Sequence, residues 1–390
     1  MVSGGIGTGS GTGWRRSLAR LTAAALLVAA AGCSATGPGT ARGTVARGGG
    51  VLTVLSASFV SASAGWLLAT PCADQVQTCR TVAMRKTVDG GRTWFPVPAP
   101  DAPPADVFQG IPPAGAVGAI LFTSARQGWA FGPALWHTRD GGATWQQMNV
   151  PGGPVQDLAV AGDRVLAVTG RCGTDYPACS FRVSAAAAGS GDWRALPGAV
   201  GTRVSSVLLA VSGGVGYVFA ATVAPGSPVL LAGPVNGSAR WRSRPDPCRR
   251  PSSGALAAAP GGWLFLGCGG EPGVGNQLKT AWLSDDGGYS WRQLASPPFG
   301  GYLGGASMSP GGTIFLSGDR MDLYVSWDRG RSWHESPSLE NAAGLAGAGL
   351  PLTGLTITDT QGVAYQEGVH QQQIWLTSDA GRRWTPVTIR

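Results

Sequence analysis

"TVDGGRTW" (87–94) recurs along this chain as "TRDGGATW" (138–145), "SDDGGYSW" (284–291), "SWDRGRSW" (326–333) and "TSDAGRRW" (377–384). The shared pattern is Ser/Thr-x-Asp-x-Gly-x-Thr/Ser-Trp, called a box below, and only the last copy departs, with Arg383 at the seventh position. Such a string reads as a hairpin turn. A strand ends at the Ser/Thr, and the Asp carboxylate accepts backbone N–H groups across the turn. The Gly adopts φ > 0 without steric cost, and the Trp opens the next strand with its ring over the hairpin. Trp136, Trp282, Tyr324 and Trp375 each stand two positions before the Ser/Thr, as one face of an incoming strand requires. Asp89, Asp140, Asp286, Asp328 and Asp379 are thus expected to be structural, with Trp94, Trp145, Trp291, Trp333 and Trp384 as their closing aromatics. The pair Asp285-Asp286 lacks the further acidic ligands of a calcium loop, so no metal is expected there.

Spacing counts the units. The box Asp residues are separated by 51, 146, 42 and 51 positions. The long gap equals three ordinary steps, so two degenerate copies should lie inside it. "SAAAAGSGDW" ending at Trp193 and "AGPVNGSARW" ending at Trp241 fit, both without the Asp. An apolar strand precedes each of the seven turns: "GWLLA" (65–69), "GWAFG" (128–132), "DRVLAV" (163–168), "GYVFA" (216–220), "GWLFL" (262–266), "TIFL" (313–316) and "VAY" (363–365). Seven repeats of four short strands predict an all-β fold, a seven-bladed β-propeller of four-stranded antiparallel blades spanning 51–390 as one domain.

Composition agrees. The chain has 63 Gly and 28 Pro in 390 residues, yet 43% is apolar and 15 residues are Trp, so a core can form. Good helix formers are scarce, with two Lys, four Glu and five Met, which argues against a helical bundle or a doubly wound α/β enzyme.

Residues 1–32 contain no acid and run through Arg15, Arg16 and Arg20 into an apolar stretch, Leu21 to Ala31. That is the pattern of a signal peptide, too short to span a bilayer permanently. "VAAAGC" resembles the lipobox of bacterial lipoproteins, which implies lipid on Cys33. Residues 33–50 then read as a flexible tether, and the protein is expected outside the cytoplasm, anchored to the outer face of the cell membrane or secreted. The net charge of +8 comes without basic clusters or RNA-binding motifs, so no nucleic-acid partner is expected.

Besides Cys33 there are Cys72, Cys79, Cys172, Cys179, Cys248 and Cys268. Six cysteines allow fifteen pairings, and locality favours 72–79, 172–179 and 248–268. Export would keep them oxidised, and the absence of any CxxC speaks against zinc.

The boxes match the Asp-box, or bacterial neuraminidase repeat. That resemblance covers sialidases, other glycoside hydrolases, sorting-receptor ectodomains and photosystem II assembly factors, so it implies a scaffold and no single activity. The sialidase Arg-Ile-Pro motif is absent; "FRVS" (181–184) is the nearest string and falls in the wrong repeat. No Gly-x-Ser-x-Gly elbow or phosphate loop occurs, and the three His do not cluster, so neither a catalytic residue nor a cofactor is assigned. Strand order places the boxes on one face and the stapled loops on the other, where binding residues tend to sit. Candidates there are Asp74, Asp175, Tyr176, Arg249, Arg250, Glu271, Tyr302, Asp319, Arg320, Glu367 and His370. The expectation is a binding or assembly scaffold for a protein or glycan, with a sialidase-like glycoside hydrolase as the rival. A pair of facing carboxylates would mark the rival.

Overall fold

A computed structural model describes residues 40–42, 52–71, 80–105, 112–172, 179–222, 229–248, 253–273, 276–298, 300–318, 323–336, 352–366 and 373–389. Among them all regular structure is β, in six antiparallel sheets. β1 (Thr40–Arg42) precedes the first sheet, which orders β2 (Thr53–Phe59), β3 (Gly65–Thr70), β4 (Ala83–Thr87) and β5 (Phe95–Val97). The second sheet holds β6 (Ala119–Phe122), β7 (Gly128–Phe131), β8 (Leu135–Thr138) and β9 (Thr144–Met148), with β1 added outside β9. In that added pair Thr40 lies opposite Gln146 and Arg42 opposite Thr144. Part of the stretch expected to be a free tether is therefore paired to a sheet edge.

The third sheet has seven strands in chain order: β10 (Val155–Ala161), β11 (Arg164–Cys172), β12 (Cys179–Ala187), β13 (Arg194–Ser212), β14 (Val215–Thr222), β15 (Val229–Pro234) and β16 (Arg242–Ser243). The fourth holds β17 (Ser253–Ala259), β18 (Trp263–Gly273), β19 (Asn276–Ser284) and β20 (Arg292–Gln293). The fifth holds β21 (Leu303–Met308), β22 (Ile314–Gly318), β23 (Leu323–Ser326) and β24 (His334–Glu335). The sixth holds β25 (Leu352–Thr356), β26 (Gly362–Gln366), β27 (Gln373–Thr377) and β28 (Thr385–Thr388).

Six sheets, not seven separate ones, is a difference from the sequence reading, and β13 is its cause. Its first residues pair as a short outer strand, Arg194 with Ala185 and Ala195 with Ser184. Residues 196–199 then bulge out, and Val200 to Val204 rejoin the same neighbour, Gly201 facing Phe181 and Val204 facing Cys179. From there the strand continues against β14, Val207 opposite Ala220 and Ser212 opposite Val215. The bulge turns on Gly198 at φ 80°. Gly201 admits the Phe181 ring, which would lie 2.2 Å from any added Cβ.

Second strands are buried along most of their length, and β3, β7, β22 and β26 along all of it. A strand covered on both faces reads as a continuous apolar run, which is why "GWLLA" and its relatives stand out. The cover comes from neighbouring sheets. Trp66 of the first sheet stacks on Phe122 of the second at 3.9 Å between ring centroids. Trp129 and Phe131 meet Val155 and Val165; Phe219 meets Leu266; Phe265 meets Ile314; Phe315 meets Trp375. The succession closes where Tyr365 and Ile374 of the sixth sheet join Leu67 and Ala69 of the first in one cluster. The sheets thus form a closed ring with a core at each boundary.

First strands touch around the inside. Ser56 and Ser58 side chains accept the Ile120 and Phe122 N–H groups at 3.2 and 2.8 Å. Asp157 accepts the Leu209 N–H at 2.8 Å, Ser212 donates to the Ala259 carbonyl at 2.7 Å, and Ser307 bonds Thr356 at 2.8 Å.

Candidate functional site

The five boxes build one hydrogen-bond cage. Thr87 Oγ1 donates to Asp89 Oδ1 at 2.8 Å and accepts the Gly91 N–H at 2.8 Å. Asp89 also accepts the Thr93 N–H at 2.9 Å and the Thr93 hydroxyl at 2.6 Å. The set repeats at Asp140, Asp286 and Asp328, and at Asp379 without the hydroxyl bond, because Arg383 stands there. Two consecutive residues take positive φ in each turn, such as Gly90 and Gly91, or Ala380 and Gly381. The Thr93 hydroxyl and N–H hold the Asp89 carboxyl down at about 2, and the Ser290 hydroxyl and N–H do the same for Asp286. At Asp328 burial pushes the other way, but the Ser332 N–H and hydroxyl win and the value is again about 2. Asp140 and Asp379 also lie below the usual range against burial, through the N–H and hydroxyl of Thr144 and chiefly the Arg383 N–H respectively.

The closing Trp residues do more than cover their hairpins. Trp145 Nε1 donates to the Pro98 carbonyl at 3.1 Å, Trp291 to Pro245 at 2.9 Å and Trp333 to Ala295 at 2.9 Å. Trp384 donates to the Ser336 hydroxyl. Each acceptor lies just beyond the last strand of the preceding sheet, so the indole ties neighbours together. Trp94 instead bonds its own turn, at the Gly91 carbonyl. The box carboxylates are engaged by local donors and stand on the face of the first-to-second-strand turns. There Gly90, Gly141, Gly287 and Ala380 donate to Ser63, Arg126, Gly262 and Thr360.

On the opposite face, Cys248 and Cys268 are joined, with Cα atoms 5.5 Å apart. Cys179 is disulfide-bonded and faces Cys172 in the ladder. Glu271 lies in the backbone of β18, its side chain outside the description, and half-buried Tyr302 precedes β21. Cys33, Cys72, Cys79, Asp74, Asp175, Tyr176, Arg249, Arg250, Asp319, Arg320, Glu367 and His370 lie outside the described residues. Among the described residues no three His, Cys, Asp or Glu side chains gather as metal ligands.

Sequence reading missed two acids. Asp157 is the one acidic residue on the first strands of the sheets, and of their continuation in β13. Burial pushes its carboxyl up to about 6, against the N–H bonds from Leu209 and Leu158. Asp246 is likewise pushed up to about 6 by burial, opposed by the Cys248 N–H at 3.0 Å. It stands in a groove of about 880 Å³ lined by Pro245, Pro247, Leu278, Trp282 and Trp291 among others. The groove has a structural origin. β20 is two residues long and pairs only with Trp282 and Leu283, leaving the rest of β19 uncovered by a fourth strand. Residues 245–248 run past instead, held by the Trp291 indole and the Cys248–Cys268 bond. "PDPC" before a stapled cysteine was the available sequence signal.

Solved structures share this architecture. "YCF48 bound to D1 peptide" superposes with a TM-score of 0.55 at 19% identity, covering 87% of this chain and 97% of its own. YCF48 from Cyanidioschyzon merolae gives 0.55 at 14%, over 87% and 99%. The chain is a β-propeller. A GH74 xyloglucanase from Xanthomonas campestris reaches a TM-score of only 0.32 at 13% identity, over 86% of this propeller and 72% of the enzyme. No family model matches the propeller sequence, and no curated protein does.

Proposed function

We propose that this propeller is an exported, lipid-anchored, non-catalytic scaffold that binds a protein partner on the face of the stapled loops. In this reading the boxes are Asp-box (bacterial neuraminidase) repeats. The third sheet counts as two blades sharing β13, which makes seven. The observation that carries the reading is the use already made of the acids. All five box carboxylates are engaged by donors of their own turns, and Asp157 is engaged by two backbone N–H groups. A glycosidase needs two facing carboxylates, and among the described residues the first strands supply a single, occupied one. The solved YCF48 carrying a D1 peptide is a propeller of the same architecture engaged with a peptide, which fits this use of the scaffold.

The test exposes the full mature chain to an array of overlapping peptides from exported and membrane proteins, beside a panel of aryl glycosides. Saturable binding to a discrete peptide segment with no glycoside turnover is the expected result. Turnover abolished by a single Asp or Glu substitution would replace this reading with the hydrolase. Mass spectrometry of the N-terminal peptide should find an acylated Cys33; an unmodified Cys33 would remove the anchor from the proposal.

A further inference from the structure

The groove between blade four's exit and the fourth sheet has the dimensions and chemistry of a recognition site. Its volume of about 880 Å³ lies within the usual span of ligand pockets, roughly 300–1,000 Å³. Trp282 and Trp291 form one wall, and the indole N–H groups of both are already satisfied, at Thr280 Oγ1 (3.1 Å) and the Pro245 carbonyl (2.9 Å). Their rings therefore offer apolar surface without an unmet polar demand. Leu278, 84% exposed, sits at the lip. An apolar side chain that open, beside a groove, has area to gain from a partner.

Asp246 supplies the polar element. Its Oδ1 accepts the Cys248 N–H at 3.0 Å, and no cation among the described residues pairs with the carboxylate. Burial holds its pKa at about 6, against the Cys248 N–H, so at neutral pH a largely ionised, poorly solvated carboxylate stands in an aromatic and proline-lined groove. A ligand cation would pair with that carboxylate, and a long aliphatic stem would lie along the Trp rings. This molecule already uses that packing elsewhere, with Arg329 over Trp263 at 4.3 Å and Arg382 over Trp327 at 4.4 Å.

We propose that this groove binds an extended segment of a partner protein carrying a lysine or arginine between apolar residues, with the cation against Asp246 and the apolar side chains against Trp282, Trp291 and Leu278. The inference rests on the scaffold reading above and adds the site and the chemistry of the bound segment.

The experiment measures anisotropy of fluorescein-labelled Ser-Ala-Leu-Lys-Leu-Ala-Ser on the full mature chain, beside versions with Gln or Glu for Lys. The Lys peptide should bind at least about 10-fold more tightly than the Gln peptide, a charge-assisted contact being the difference. Asp246→Asn should bring the Lys peptide to the level of the Gln peptide and leave the latter unchanged. Leu278→Ser, at an exposed position that folding does not need, should weaken both about threefold. Equal binding of Lys and Gln peptides, tighter binding of the Glu peptide, or a preference that survives Asp246→Asn would overturn the proposal. Acetyl-lysine amide that competes as well as the whole peptide would also overturn it, leaving an amine site with no use for the apolar wall. If the array finds a partner segment that Asp246→Asn still binds, this groove is wrong and the scaffold reading stands. If no segment binds anywhere, the scaffold reading itself falls.

Discussion

Five turns of this ring carry a carboxylate and two do not, and the chain solves the same problem differently in each place. At the boxes, Asp cages the hairpin and, in four of the five, the closing indole reaches back to the preceding sheet. In the third sheet the Asp positions hold Ala188 and Asn236. Asn236 keeps part of the cage, accepting the Ser238 N–H at 3.0 Å, while Ala188 can accept nothing through its side chain. Trp241 bonds its own turn at Pro234, and Trp193 Nε1 is buried with no acceptor among the described residues. Continuity of the backbone replaces the indole ties here. β13 stays hydrogen-bonded through what is elsewhere a loop, and the Trp241 N–H fastens the Pro197 bulge at 2.7 Å. Side-chain stitches and a shared strand are alternative ways to couple adjacent blades.

The strongest way to break this contrast is to cut the shared strand. The Leu209 N–H points to Asp157, so by alternation the Leu208 N–H serves the β14 ladder. Leu208→Pro should lower the unfolding free energy by about 3 kcal/mol or more, read from urea denaturation. A smaller loss would mean that the two halves of the third sheet hold together without β13.

Asp286→Ala comes next. It removes four local acceptor bonds and should cost about 1–3 kcal/mol, whereas Asn236→Ala in the degenerate turn should cost well under about 1 kcal/mol. Melting temperatures of the two variants rank them, and equal losses would deny the boxes their special role.

Smaller still is the indole comparison. Trp145→Phe forfeits the bond to Pro98 and should cost about 1–2 kcal/mol, but Trp193→Phe removes an unsatisfied donor and should be close to neutral. The same boundary holds His137, whose Nε2 is also unpartnered and whose pKa is lowered to about 4, mainly by burial and secondarily by Arg139.

Acid separates the carboxylates by sign. Asp89, Asp286 and Asp328 have pKa values near 2, below the unfolded value of about 4. Their contribution is complete above pH 4 and disappears as pH falls toward 2. Asp157 and Asp246 sit at about 6, above the unfolded value. They penalise the fold at neutral pH, and that penalty fades as pH drops through 6 toward 4. His137 acts against that relief, because its value near 4 makes the fold lose stability as pH falls from about 6.5 toward 4. In a His137→Gln background the melting temperature should therefore rise from pH 7 to a maximum near pH 4–5 and then fall. Asp157→Asn should flatten the rise while leaving the acid limb; an unchanged rise would show that Asp157 is ordinary.

These contrasts also mark what the sequence could reveal. The turns were legible because a cage needs fixed residue types at fixed offsets, from Thr87 to Trp94. The buried second strands were legible as apolar runs. The Cys248–Cys268 bond lay within reach because the two residues are close in sequence. β13 was not legible, since a paired connector and a loop can share one composition, and only Gly198 and Gly201 betray it. The inner Ser contacts were hidden because Ser56, Ser212 and Ser307 are ordinary strand residues until a neighbouring blade meets them. Asp246 was overlooked for a similar reason. Its burial comes from Trp282 and Trp291, over thirty positions away.

The boundary between the sixth and first sheets joins the last sheet of the chain to the first. Both sheets consist of consecutive strands from their own stretch of chain, and they meet through Leu67, Ala69, Tyr365 and Ile374. The Gly91 position also rests against Leu376, with Trp94 turned to its own hairpin rather than across the gap. The molecule is in effect a split washer, with apolar packing where its first and last sheets meet. Tension on the N-terminal end would first load the short β1–β9 ladder, and only once that parted would the pull reach this closing contact. Because each core lies between neighbouring sheets, opening this boundary would bare apolar surface on both of its sheets at once.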